Sequence, residues 1–335
     1  MAHFTGPCLT LAGPGSGKTH TLTCRIRHLI DRHQVPPEKI LVITFTRAAA
    51  MEMRQRFVSL MGEDLPVVFG TFHSVFFRML QEEYGLESDA LATGKMRLQL
   101  LREAASRCHV KSDRQDFFQV ISREFSYIKN TGIDPAEYHS REFPGIPMGR
   151  FFDAYEEQKE VYGLLDFDDM LTKTLSMFRE NPRILERWRG RFSFYLLDEV
   201  QDMNRLQFQI IRLLAHPHNN LFAVGDDDQS IYAFRGADPG LMLEFPKYYP
   251  DCRKILLEEN YRCSPQILSA ANNLIAHNGK RYAKKLHSAA EAGEAVSFCR
   301  YPTAQQEGEG LVRAIKDRLA AGEKPGDKAV LFRGR

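Results

Sequence analysis

No apolar run in the 335 residues reaches the roughly 18 residues needed to span a bilayer. The opening Met1-Ala2-His3-Phe4-Thr5-Gly6-Pro7 lacks the basic cluster and long apolar stretch of a secretory leader, so neither a membrane nor secretion is expected. The six cysteines (Cys8, Cys24, Cys108, Cys252, Cys263, Cys299) form no Cys-x-x-Cys pair, which argues against a zinc or dithiol motif and leaves reduced thiols of a cytoplasmic protein as the expectation. There is no internal repeat and no low-complexity tract. Charge of one sign is also lacking: 45 Lys and Arg against 43 Asp and Glu give +2, so any contact with nucleic acid has to come from a local groove. What remains, 43% hydrophobic and 26% charged residues, is the composition of a globular chain, long enough for two ordinary domains of about 150 residues.

Short apolar runs alternate with amphipathic stretches, the pattern of an α/β domain built on a parallel sheet. Strands are predicted at Cys8–Ala12, Ile40–Thr44, Val67–Phe69, Phe192–Leu197, Leu221–Val224 and Lys254–Leu257. Two more are predicted at Ala295–Cys299 and Ala329–Phe332. Between them lie helices ending near His33, starting near Ser74, around Asp169–Phe178, after Asn260 and over Glu309–Ala321, and one that would place Ala48, Met51, Phe57, Leu60 and Met61 on a single face. From about Tyr84 to Gly163 the strand signal disappears. Phe117, Ile121, Phe125 and Ile128 recur at helical spacing, as do Phe151, Tyr155 and Tyr162, so this stretch reads as a helical insertion whose mixed charges are mainly solvated faces.

The segment Ala12-Gly13-Pro14-Gly15-Ser16-Gly17-Lys18-Thr19 joins an apolar strand to a helix. Glycines there let successive N–H groups curl around phosphates at a helix N-terminus, where the dipole already favours an anion. Lys18 is placed to neutralise the outer phosphates of ATP, and the Thr19 hydroxyl to ligate Mg²⁺. A second strand ends in Asp198-Glu199-Val200-Gln201-Asp202. In a parallel sheet this end faces the ligand crevice, so Asp198 is expected to hold Mg²⁺ through water and Glu199 to orient or deprotonate the attacking water. A third strand ends in Gly225-Asp226-Asp227-Asp228-Gln229, whose acids do not have the spacing of an EF-hand calcium loop. The neutral Gln229 suits sensing of the γ-phosphate.

In chain order, these segments stand with Ile43-Thr44-Phe45-Thr46-Arg47-Ala48-Ala49, Gly70-Thr71-Phe72-His73-Ser74, Leu165-Asp166-Phe167-Asp168-Asp169, Val224–Gly236 and Leu257-Glu258-Glu259-Asn260-Tyr261-Arg262. Together they resemble superfamily 1 DNA helicases of the UvrD/Rep/PcrA type over nearly the whole chain. The resemblance implies a RecA-like P-loop fold in which residues 1–83 and 164–259 form the first ATP-binding domain, 84–163 a helical insertion, and 260–335 part of a second RecA-like domain. It also implies an ATP- and Mg²⁺-dependent motor, monomeric and cytoplasmic, moving 3′ to 5′ on single-stranded DNA in repair or replication.

By the same resemblance, Tyr261 stacks on adenine, Arg262 reaches the γ-phosphate, and Gln229 couples that phosphate to DNA. Phe45, Tyr232 and Phe234 offer stacking faces to bases, while Thr46, Arg47, Thr71, His73 and Arg235 face phosphates or sugars. Two positions depart from the family pattern: Phe234 stands where Trp is usual, and His20 where Arg is usual, leaving an imidazole to stack on adenine. Too little sequence precedes the phosphate loop for the family's glutamine-bearing adenine segment, and its later motifs do not follow Phe332. The expectation is a fragment of weak activity. An ATP-binding switch or docking module is the alternative, as is the motor part of a nuclease-linked enzyme.

Overall fold

The computed structural model describes residues 3–232 and 236–332. Six strands, β1 (Cys8–Ala12), β2 (Ile40–Thr44), β3 (Val68–Thr71), β4 (Phe194–Leu197), β5 (Leu221–Gly225) and β6 (Arg253–Leu257), form one parallel sheet in the order β3-β2-β4-β5-β1-β6. Register places Leu9 against both Ala223 and Lys254, and Val42 against Leu196. Successive strand residues point to opposite faces, and both faces are covered. Leu9, Leu11, Leu41, Ile43, Tyr195 and Leu197 enter one core. Their neighbours Cys8, Ala12, Ile40, Val42, Phe194 and Leu196 enter the other. This explains why the strands read as continuous apolar runs without polar alternation.

The helices in chain order are α1 (Lys18–His33), α2 (Arg47–Met61), α3 (Phe72–Tyr84), α4 (Lys95–Arg107), α5 (Phe117–Thr131), α6 (Met148–Val161), α7 (Phe167–Glu180), α8 (Pro182–Arg191), α9 (Arg205–Ala215), α10 (Gly240–Tyr248), α11 (Pro265–Ile275) and α12 (Ala304–Ala320). Leu22, Ile26 and Leu29 of α1 and Met53 and Phe57 of α2 fill one face of the sheet. Side chains of α3, α7, α8, α9 and α10 fill the other. Helices α4, α5 and α6 enclose a third core around Phe117, Ile121, Phe125, Phe151 and Tyr155. Among the described residues no helix is long and apolar enough to cross a membrane, and all six cysteines are free thiols.

Four readings of the sequence need correction. The inward face of α2 carries Ala50, Met53 and Phe57, while Met51 is exposed, because the helix lies tangentially on the sheet and only a narrow stripe reaches it. Helix α8 stands where the sequence pattern places no element; Leu185 and Trp188 bury its one apolar edge among many charges. Predicted strands Ala295–Cys299 and Ala329–Phe332 form no ladder among the described residues: Phe298 and Leu331 are exposed, and a strand without a hydrogen-bonded neighbour has nothing to fix it. Finally, Lys129 and Lys159 are not solvated charges of the helical region but are buried against Glu156, Asp166 and Asp169.

Compactness divides the chain at residue 291. The second unit carries α12, none of whose side chains is buried, and Arg318 there pairs with Glu294 and Glu323. The candidate site lies within the first unit.

Candidate active site

Each chemical segment leaves the carboxyl end of a strand in this one sheet: Gly13 after β1, Phe45 after β2, Asp198 after β4 and Asp226 after β5. In a parallel sheet these ends share one crevice. Gly13, Pro14, Gly15, Ser16 and Gly17 form the turn into α1. Gly15 and Gly17 take φ of 68° and 81°, and Gly17 caps the helix without a side-chain acceptor, leaving the first-turn N–H groups to an anion. The Ser16 hydroxyl closes the turn by donating to the Gly13 carbonyl at 2.7 Å.

Lys18, at the start of α1, donates to Glu199 Oε2 at 2.7 Å, so the two residues assigned to phosphate and water stand in direct contact. Glu199 occupies the left-handed region at φ 51°, a strain of about 1–3 kcal/mol for a non-glycine residue. Two donors hold it there: Lys18, and the buried Gln201, whose amide reaches the same Oε2 at 2.8 Å. Gln201 Oε1 in turn accepts the Asp226 N–H at 3.0 Å, tying the end of β4 to the end of β5. Gly225 is required at this junction, because a Cβ there would lie 2.7 Å from Gln201 Oε1.

Asp198 is buried and its Oδ1 has no hydrogen-bond partner among the described residues. Burial, and then the neighbouring Glu199, push its carboxyl up to about 7, with Lys18 pulling the other way. An orphaned carboxylate oxygen beside a phosphate loop fits a hard divalent cation, which would favour the ionised form. Asp198 and, in the first turn of α1, Thr19 are the residues that could hold such a cation. Without the cation, the contribution of Asp198 to stability is complete below the ordinary aspartate value of 3.8 and is lost as pH rises through about 7. Asp198→Asn is thus expected to leave the thermal midpoint unchanged near about pH 4 and to add roughly 1–3 kcal/mol at about pH 8 in metal-free buffer. Paired melts check this; a difference that does not grow with pH overturns it.

The three acids after β5 are not an open metal site. The buried Lys284 ammonium lies within 3.0 Å of Asp226, Asp227 and Asp228, and Arg281 clasps Asp228 with bonds of 2.8 and 2.7 Å. Gln229 is folded onto this cluster, donating to Asp226 Oδ2 at 2.8 Å, and so meets Glu199 only through Asp226 and Gln201.

The Tyr261-Arg262 segment is strapped to the phosphate loop by Asn260. The Asn260 amide donates to the Pro14 carbonyl at 2.5 Å, its Oδ1 accepts the N–H groups of Arg262 and Cys263, and the Tyr261 N–H reaches the Gly15 carbonyl at 3.0 Å. A Cβ on Gly15 would sit 2.6 Å from Arg262 Cβ, so this approach also demands glycine. Tyr261 is 69% exposed, and the Arg262 side chain, also exposed, makes no hydrogen bond or ion pair among the described residues. His20 is exposed on α1, its Nε2 3.4 Å from Cys24 Sγ.

Beside the crevice, a cavity of about 300 Å³ gathers Phe45, Thr46, His73, Tyr232 and Asp202. The Phe45 and Tyr232 rings stack with centroids 5.1 Å apart. Burial lowers the His73 pKa, an effect Asp168 partly offsets, so the ring is neutral near pH 7. Burial and then Glu199 raise the Asp202 carboxyl to about 6. The far wall is a polar chain: Asn130 donates to Asp168 at 2.7 Å and accepts from Asn204 at 2.7 Å. Thr46 and Thr71 are helix caps, their hydroxyls accepting the N–H groups of Ala49 and Ser74. The Thr71 hydroxyl is thus engaged within its own turn, while Arg47 is exposed in the first turn of α2. Phe234 and Arg235 lie outside the described residues.

Lys284, Gln201, Asn260 and Asn130 were not assigned roles from the sequence. Only Lys284 left a signal: three successive acids at a buried strand end need a cation, and the run Lys280-Arg281-Tyr282-Ala283-Lys284-Lys285 supplies it.

Residues 1–250 match the UvrD/REP helicase N-terminal domain, and residues 255–335 match the UvrD-like helicase C-terminal domain. The chain is 37% identical over 336 residues to the putative ATP-dependent DNA helicase YjcD of Bacillus subtilis, covering 98% of this chain and 44% of that one. It is 35% identical to the ATP-dependent DNA helicase PcrA of Staphylococcus epidermidis over 336 residues and to PcrA of Staphylococcus aureus over 340, in each case 98% of this chain and 46% of the relative. It therefore spans less than half the length of these relatives. The RecA-like sheet, the phosphate loop at its crevice and the two domain matches agree: the chain belongs to the UvrD/REP helicase family.

Proposed function

We propose that this chain is the ATP-hydrolysing part of a DNA helicase that moves 3′ to 5′ along single-stranded DNA in repair or replication, acting as a cytoplasmic monomer. The observation that carries the reading is the 2.7 Å contact between Lys18 and Glu199 at the phosphate loop. A bound γ-phosphate competes with Glu199 for the Lys18 ammonium, so nucleotide binding frees the carboxylate to orient water while Gln201 keeps it in place. Mg²⁺, when bound, neutralises the phosphates. Tyr261 lies over the adenine, with His20 as its opposite face, and Arg262 supplies a cation from across the cleft.

The path for DNA runs over the Phe45–Tyr232 pair, with Thr46, Arg47, Thr71 and His73 beside it; Phe234 and Arg235, outside the described residues, are assigned to DNA by the resemblance in sequence. Gln201 and Asp202, adjacent in sequence, face the two sites: one holds Glu199 and the other lines the stacking cavity. In this reading, residues 1–83 and 164–259 are one RecA-like domain, 84–163 its helical insertion, and 260–335 part of a second.

ATP turnover with and without single-stranded DNA tests the assignment, and absence of ATP binding sinks it. For the DNA path, Phe45→Ala is expected to weaken oligothymidylate binding by roughly 1–3 kcal/mol, since each base–aromatic stack is worth about that much. Fluorescence anisotropy measures this; unchanged affinity removes Phe45 from the path.

A further inference from the structure

At the amino ends of β4 and β5, the pole of the sheet opposite the phosphate loop, a cavity of about 690 Å³ opens between α7, α8, α9 and the end of α10. Arg179, Arg189 and Arg212 line it, each from the last turn of its own helix, with His216, Tyr248 and Tyr249 beside them. No carboxylate lines the cavity among the described residues. Arg179 donates to the neutral Gln209, at 3.0 Å, and Arg212 lies over the Tyr248 ring at 4.7 Å. Arg189 donates to the Leu213 carbonyl at 2.7 Å and pairs with Glu186, whose side chain is 66% exposed at the rim.

Tyr249 is 6% exposed, and its hydroxyl is buried with no hydrogen-bond partner among the described residues. Arg212 is the donor next to it, acting on the hydroxyl through its charge and its N–H groups but short of a full hydrogen bond. A ligand that reaches the cavity wall can supply the hydrogen bond this hydroxyl lacks.

The arginines have a structural duty as well, since each offsets roughly half a negative charge at a helix C-terminus. Glu186 answers Arg189 at the rim, which leaves Arg179 and Arg212 without a carboxylate partner among the described residues and a positive surplus of at most about 1 once their helix ends are counted. Guanidinium forks also match phosphate oxygens bidentately, and the volume suits a small molecule.

We propose that this cavity binds a phosphate group, free or carried on a small organic body, at a site separate from the phosphate loop. The test is calorimetric titration of the full chain with inorganic phosphate, pyrophosphate and phenyl phosphate at low ionic strength, in a Lys18→Ala background that weakens the nucleotide site. One equivalent is expected to bind. Arg179→Ala and Arg212→Ala should each weaken it by about tenfold or more, and Tyr249→Phe by several-fold without lowering the melting temperature. Tighter binding of phenyl phosphate than of phosphate assigns the site to organic phosphates, with the ring on Tyr248; the reverse assigns it to the free ion. No binding in the Lys18→Ala chain, or binding indifferent to all three substitutions, overturns the proposal and leaves the arginines as helix-end charges. If Arg212→Ala impairs only oligonucleotide binding and none of the three probes binds, the surface belongs to nucleic acid and the proposal also fails.

Discussion

Glu199→Gln is expected to lower ATP turnover by roughly 10²–10⁴-fold, the range that a positioned general base contributes. The substitution keeps the shape of the side chain and a partner for Gln201, so the loss falls on kcat. Affinity should move the other way or not at all. In the nucleotide-free chain Lys18 is held by Glu199 at 2.7 Å, and phosphates must break that pair before they occupy the ammonium. Removing the carboxylate's charge removes the competitor, so KM for ATP is expected to stay level or fall. Lys18→Ala provides the contrast, because it should raise the nucleotide dissociation constant along with its effect on rate. Turnover and nucleotide binding measured side by side separate these outcomes: a Glu199→Gln chain that turns over at the wild-type rate removes Glu199 from the chemistry, while one that loses affinity shows that its carboxylate helps bind nucleotide.

The parts of this site that were legible in the sequence are those that local rules govern. Glycines at positive φ, an apolar strand on one side and an amphipathic helix on the other mark the phosphate loop without reference to the rest of the chain. Placement of Asp198 and Glu199 beside it needed one further rule, that parallel strands present their carboxyl ends together. Partnerships between distant segments were not legible. Nothing local distinguishes the buried Lys284 from the neighbouring Lys285, and only the fold brings the former to Asp226, Asp227 and Asp228. The strap from Asn260 to Pro14 spans 246 residues, beyond the reach of any local rule. Predicted strands Ala295–Cys299 and Ala329–Phe332 fail for a related reason: their apolar character is local, whereas a ladder requires a neighbour.

Lys129→Met is expected to cost roughly 3–5 kcal/mol, the penalty for breaking a buried ion pair from one side. Lys129 Nζ lies 2.7 Å from Glu156, 2.9 Å from Asp166 and 2.7 Å from Asp169, and Lys159 contacts the same three carboxylates. Two ammonium groups thus face three carboxylates, and removing one leaves a net charge of −2 in a site where Lys129, Lys159, Asp166 and Asp169 are all buried. Burial opposes the charge on Lys129, but Asp166, Asp169 and Glu156 outweigh it and hold its pKa well above the usual lysine value. Burial likewise works against ionised Asp166, and Lys129 and then Lys159 reverse this, holding its carboxyl below the ordinary range. A depressed carboxylate stabilises above its unfolded pKa and loses that contribution as pH falls, so the gap between wild type and Lys129→Met should be widest near about pH 7 and close in acid. Asp166 and Asp169 also cap α7 reciprocally, with bonds of 3.0 and 2.7 Å, so the damage should spread to that helix. The next residue on α5, Asn130, holds Asp168 and Asn204 in the wall of the stacking cavity, which links the charge cluster to the proposed DNA path. Adding Asp169→Asn to Lys129→Met removes one uncompensated charge and should recover about 1–3 kcal/mol relative to the sum of the two single changes. Chemical denaturation across pH measures both effects. If Lys129→Met is as stable as wild type near about pH 7, water or rearrangement already satisfies these carboxylates, and the helical region is held to the sheet by its apolar contacts alone.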